Sequence, residues 1–124
     1  MLETTGLHAE VFDAALALKS VGGDSEFLNE VVGLIRAAWP TLLADIRRAL
    51  AMGDFRAVER TARLAKAAAR NVSAKRAYDS AVELETLIVM KDLPAAQRAS
   101  TTLEQEVERL QTVLSTLEKS ACSS

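Results

Sequence analysis

Five apolar residues in the last quarter of the chain, Leu103, Val107, Leu110, Leu114 and Leu117, step by four, three, four and three. That spacing gathers all five on one stripe of an α-helix, whereas a strand would scatter them over both faces. A stripe of this kind must be covered by other helices. The chain supplies them: Leu28, Val31, Ile35, Ala38, Leu42, Ile46 and Leu50 repeat the pattern. So do Val58, Ala62, Ala65, Ala69 and Val72, and then Ala77, Ala81, Leu84 and Ile88.

Short breaks separate the stripes. Gly22 and Gly23, with Asp24 or Ser25 as the next cap, divide a first helix at about 9–20 from a second at about 25–51. Pro40 lies inside the second and predicts a kink at Trp39, which it biases away from helix. Gly53 suits a left-handed helix end, and Asp54 can cap a third helix at about 55–72. A fourth follows at about 74–91, and Pro94 fits the first turn of a fifth that runs to about 119. Such short connections make consecutive helices antiparallel neighbours. The expected fold is all-α: an antiparallel four-helix bundle built from the last four helices, with the short first helix over one end. Residues 1–8 form a lead and 120–124 a polar tail.

A chain of 124 residues has room for one core, and with 49% hydrophobic but only 4% aromatic residues that core rests on Ala, Leu and Val. The opening "MLETTGLHAE" has no basic, apolar leader, and no apolar run approaches the roughly 20 residues a membrane span needs. A cytoplasmic monomer is expected. Cys122 is the single cysteine, so no internal disulfide can form. No carboxylate pair or Cys/His set has catalytic or metal-binding spacing, so neither an enzyme, a cofactor nor a metal is expected.

Charge is distributed unevenly. Residues 54–76 hold Arg56, Arg60, Arg63, Lys66, Arg70, Lys75 and Arg76 against Asp54 and Glu59, a local +5 in a chain of net −2. Arg56, Arg60, Arg63, Ala67 and Arg70 recur at four, three, four and three, opposite the alanine stripe, with Lys66 beside them. A solvated outer face would look like this, and so would an acceptor for an acidic partner.

Three stretches carry a resemblance to the histidine-containing phosphotransfer (HPt) domains of two-component phosphorelays. "VGGDSEFLNEVVGLIRAAWPTLLADIRRALAMGDF" is similar to the family's first long helix. "TARLAKAAARNVSA" is similar to its active segment, commonly A-H-x-L-K-G-x-x-x-x-x-G-A. "AVELETLIVMKDLPAAQRASTTLEQEVERL" resembles its last two helices. Counting from Gly53-Asp54, the resemblance puts the phosphoaccepting histidine at position 63, which is Arg63. Lys66 keeps the family's lysine, Asn71 and Ala74 match common choices, and Ala65, Ala67 and Ser73 replace a leucine and two glycines.

Arginine cannot perform the transfer. The reaction needs a neutral imidazole nitrogen with a lone pair, and a guanidinium stays protonated without one. The resemblance therefore implies a pseudo-phosphotransfer module that binds a receiver domain or a histidine kinase without accepting phosphate. Receivers present acidic residues around their aspartate, which Arg63 could meet as a planar, five-donor cation. Arg63, Lys66 and Arg70 are the principal candidates, flanked by Arg60, Arg56 and Ala67. His8, the only histidine, lies in the lead, where a solvent-exposed role is the ordinary one.

Two other classes stay open: a helical interaction scaffold outside phosphorelays, and nucleic-acid binding through the basic stripe. The acidic overall charge and the lack of aromatic residues between the arginines argue against nucleic acid. Trp39 is expected as a packing anchor, Tyr78 as a half-buried neighbour of the basic segment, and Asn71 as part of a helix end.

Overall fold

The computed structural model describes residues 10–123, with side chains as far as Thr116. His8, the lead, and the side chains of Leu117 and Cys122 lie outside the described residues. Among the described residues five helices are complete, in order: α1 Ala14–Ser20, α2 Ser25–Met52, α3 Phe55–Asn71, α4 Lys75–Val89 and α5 Leu93–Ser123. Helices α2 to α5 pack in a ring, each against the next and α5 back against α2, while α1 leans on α2. This is the expected bundle.

Aspartates start four of the helices. Asp13, Asp24, Asp54 and Asp92 each accept the backbone N–H three residues on, at 3.0, 3.0, 3.1 and 3.1 Å. These bonds satisfy donors that a helix start leaves open. Asp24 rather than Ser25 therefore caps α2. Asp13 also interrupts the first helix expected at about 9–20: Glu10 and Val11 are helical, Phe12 and Asp13 are not, and α1 begins at Ala14. The Asp13 N–H donates to the Ser73 carbonyl at 3.0 Å, and its extended backbone holds α1 back to Ala14. The same bond ties the front of α1 to the turn between α3 and α4.

Four helix ends close alike, α1 through Gly22 at φ 71° with the Gly23 N–H on the Leu18 carbonyl at 2.9 Å, and the other three in the same way. Gly53, Ser73 and Lys91 take left-handed φ values of 66°, 54° and 60°. The following residue then donates back to the carbonyl of Ala49, Ala69 or Leu87, at 2.9, 2.9 and 3.1 Å. Ser73 thus occupies a glycine-type conformation at the position where the resemblance calls for glycine, at a cost of roughly 1 kcal/mol.

One expectation about α2 changes. Ala38 faces outward, and Trp39 takes the core position with no exposed surface. Leu28, Ile35, Ile46 and Leu50 are buried as expected, but Val32 is buried more deeply than Val31, and at 38–39 an indole is buried in place of a methyl, a much larger apolar gain. Pro40 sits on the exposed side, and α2 continues through it as one helix. On α5 the helix extends past residue 119 to Ser123, since "EKSACS" contains neither glycine nor proline to stop it.

The core divides by residue size. Between α3 and α4 it is lined by Ala62, Ala65 and Ala69 facing Ala77 and Ala81, all at most 1% exposed. Small side chains let these two helices share the most extensive contact in the molecule. Leu103, Val107, Leu110 and Leu114 of α5 fill the wider space opposite, with Ile46, Leu84 and Trp39. Helix α3 is therefore fixed along its inner face and free to present its outer one.

Candidate partner-docking site

The outer face of α3 is held between its Asp54 cap and the Ser73 turn, so its charged residues keep a fixed register. Arg56, Arg60, Arg63, Ala67 and Arg70 are exposed and Lys66 is partly covered. The structure does not leave them as one uniform basic stripe.

Arg63 and Lys66 are already engaged. The Arg63 Nε donates to Glu85 Oε2 at 2.8 Å, and its Nη2 donates to Glu59 Oε1 at 2.7 Å. Lys66 Nζ donates to the other Glu85 oxygen at 2.9 Å. Glu85, reaching across from α4, thus binds two cations with two oxygens. Its hydrogen bonds with Lys66 and then Arg63 hold its carboxyl below the ordinary value of 4.5. The bond to Glu85, with the charge of Glu59, raises the Arg63 guanidinium. Two cations and two carboxylates make this cluster electroneutral. Even so, 61% of the Arg63 side chain remains open to solvent.

The neighbouring cations lean different ways. The Arg70 guanidinium lies 5.6 Å from the centre of the Tyr78 ring on α4, within cation–π range. Arg60 lines a shallow groove toward α2 with Arg48, Asp45, Met52 and Leu64. Among the described residues neither Arg56 nor Arg60 forms an ion pair. Free positive charge thus lies toward the ends of α3, and its middle is neutralised.

A second cluster, one carboxylate between two arginines, sits on the other side of α4. Glu106 of α5, only 8% exposed, accepts from Arg76 Nε at 2.6 Å and from Arg109 Nη1 at 3.1 Å. It ties α4 to α5 as Glu85 ties α3 to α4.

Sequence reasoning singled out the cations and missed these carboxylates. Glu59 was within reach of it, because Glu59 and Arg63 are four apart on one helix and hence neighbours. Glu85 and Glu106 depend on how helices register against one another, which no local spacing records. Tyr78 is half-buried as expected, and it supports Arg70 directly.

The arrangement can offer hydrogen-bond donors to an oxyanion, and it holds a guanidinium rather than an imidazole at position 63. The chain's single histidine is His8, outside the described residues, and a guanidinium offers no lone pair. Among the described residues no group of His, Cys, Asp or Glu is arranged to hold a metal ion. No helix there is long and apolar enough to cross a membrane.

Comparison with known proteins bears on the same region. The sequence model of the Hpt domain matches residues 30–113. The HPT domain from a hybrid sensor histidine kinase of Shewanella superposes with a TM-score of 0.81. That match covers 90% of this chain and 97% of the other at 13% identity, so it speaks for the fold. No curated protein matches.

Proposed function

This chain belongs to the Hpt domain family, which serves phosphorelay signalling, and we propose that it binds a receiver domain without accepting its phosphoryl group. Hpt domains are phosphotransfer carriers rather than enzymes, and their partners are the receiver and kinase domains of two-component systems. In this member the surface is kept and the carrier is replaced. One observation supports the reading above all: position 63, midway along the exposed face of α3, is an arginine beside a retained Lys66.

The physical case is complementarity. A receiver pocket is acidic, and the outer face of α3 presents Arg56, Arg60 and Arg70 around an Arg63 that still has three unused N–H donors. Long-range attraction from these cations would raise the encounter rate, and bidentate pairing would fix the docked orientation. The alanine face behind them holds the helix in place. A domain of this kind competes with an active transfer domain or sequesters a regulator.

Binding of the wild-type chain to a panel of receiver domains, with Arg63→Glu alongside, tests the proposal. Selective binding to a receiver, lost on charge reversal, is the expected result. Binding that survives Arg63→Glu unchanged would remove Arg63 from the docking surface.

A further inference from the structure

The cluster in the middle of α3 has a feature that simple docking by a bare arginine does not need: it brings its own anions. Glu59 and Glu85 hold Arg63 at 2.7 and 2.8 Å, and Glu85 also holds Lys66 at 2.9 Å. An incoming carboxylate or phosphoryl group therefore meets cations that are already satisfied. It must either share Arg63 through the remaining donors or displace Glu85.

From this we infer that Glu85 is an internal competitor that sets the specificity of the surface, keeping Arg63 and Lys66 closed to single carboxylates and yielding to multiply charged oxyanions. The inference depends on the docking proposal only for the identity of the natural partner.

Charge and geometry favour that division. A monoanion that displaces Glu85 replaces one carboxylate by another and gains nothing in charge. A phosphoryl dianion, or a pocket of several carboxylates, carries more negative charge than Glu85 alone. It can also engage Arg60, one turn before Arg63, and Arg70, one turn beyond Lys66, which Glu85 leaves unpaired. Lys66 at 27% exposure and Glu85 at 17% are half-buried, whereas the Arg63 side chain is 61% exposed and its bond to Glu85 lies in solvent, where exchange costs little. Glu85 is anchored on the α4 backbone and stays at high effective concentration, which raises the threshold for any weak competitor.

The test observes the Arg63 Nε–H by nitrogen-15 NMR in the full chain, with inorganic phosphate and acetate as separate probes. In the wild type, acetate should leave the signal in place and phosphate should move it only weakly. Glu85→Gln should tighten phosphate binding at Arg63 by roughly three- to tenfold, the range expected for losing one or two exposed ion pairs. Glu83→Gln makes the same charge change on an exposed residue of α4 that does not touch Arg63, and it should change nothing at that signal.

Unchanged or weaker phosphate binding in Glu85→Gln would overturn the inference, as would an equal gain in Glu83→Gln. With any receiver that binds the wild type, Glu85→Gln should tighten the complex, and weakening would make Glu85 a contact rather than a competitor. A panel with no binding receiver would count against the docking proposal while leaving the phosphate result to stand on its own.

Discussion

Helix α4 stands between two clusters in each of which one carboxylate bonds two cations and joins neighbouring helices, with Glu59 as a second carboxylate in only one of them. Glu106 lies at 8% exposure between Arg76 and Arg109; Glu85 lies at 17% between Lys66 and Arg63. The chemistry is nearly identical and the consequences differ. Where the carboxylate is more deeply buried, removing it takes away a doubly bonded joint between α4 and α5, although both arginines keep access to water, and the cluster is architecture. Where it is near the surface and Glu59 completes the neutralisation, the pairs can exchange, and the cluster can answer a partner.

That contrast can be broken by measurement. The largest effect is expected at Glu106→Ala, which should lower unfolding free energy by about 2 kcal/mol in urea titrations, because the carboxylate is buried and doubly bonded. Glu85→Ala should cost less than about 1 kcal/mol, since its bond to Arg63 is exposed and Glu59 still pairs with that guanidinium. Equal losses at the two sites would abolish the distinction.

Acid sharpens it. The folded-state value of Glu85 is depressed, so its contribution is complete above its ordinary value of 4.5 and fades as pH falls through the lower, folded value. Stability of the wild type should therefore decline more steeply below pH 4.5 than that of Glu85→Gln, measured by thermal melts across that range. The smallest effect is expected at Glu59→Gln, an exposed pair one turn from Arg63 whose loss should barely move a melt. Its signature should instead be a weaker salt dependence of the Arg63 Nε–H shift.

The elements of this fold were legible because its signals are local. Leucine and alanine stripes identified the helices of the bundle, Asp54 and Gly53 marked one turn, and the cations of α3 stood out against an acidic chain. Three features escaped for physical reasons. Asp13 holds α1 short through a bond to Ser73, sixty residues away in sequence. Trp39 and Ala38 are adjacent apolar residues, and only the packing of α2 against its neighbours decides which one is buried. Glu85 joins Arg63 and Lys66 across an interface whose register emerges from the alanine contacts of α3 with α4. The position of Arg63 could be counted from Gly53, whereas the ion pairs that restrain it could not.

The central claim is that this Hpt member engages its partner without carrying phosphate. Its most direct test incubates the wild type and the Arg63→His/Ala67→Gly variant with phosphorylated receivers, including any that bind the wild type, and follows acid-labile phosphate on each chain. The account predicts none on the wild type and a clear signal on the variant, whose restored imidazole would stand beside Lys66 and Glu85. Phosphate on the wild-type chain would contradict it.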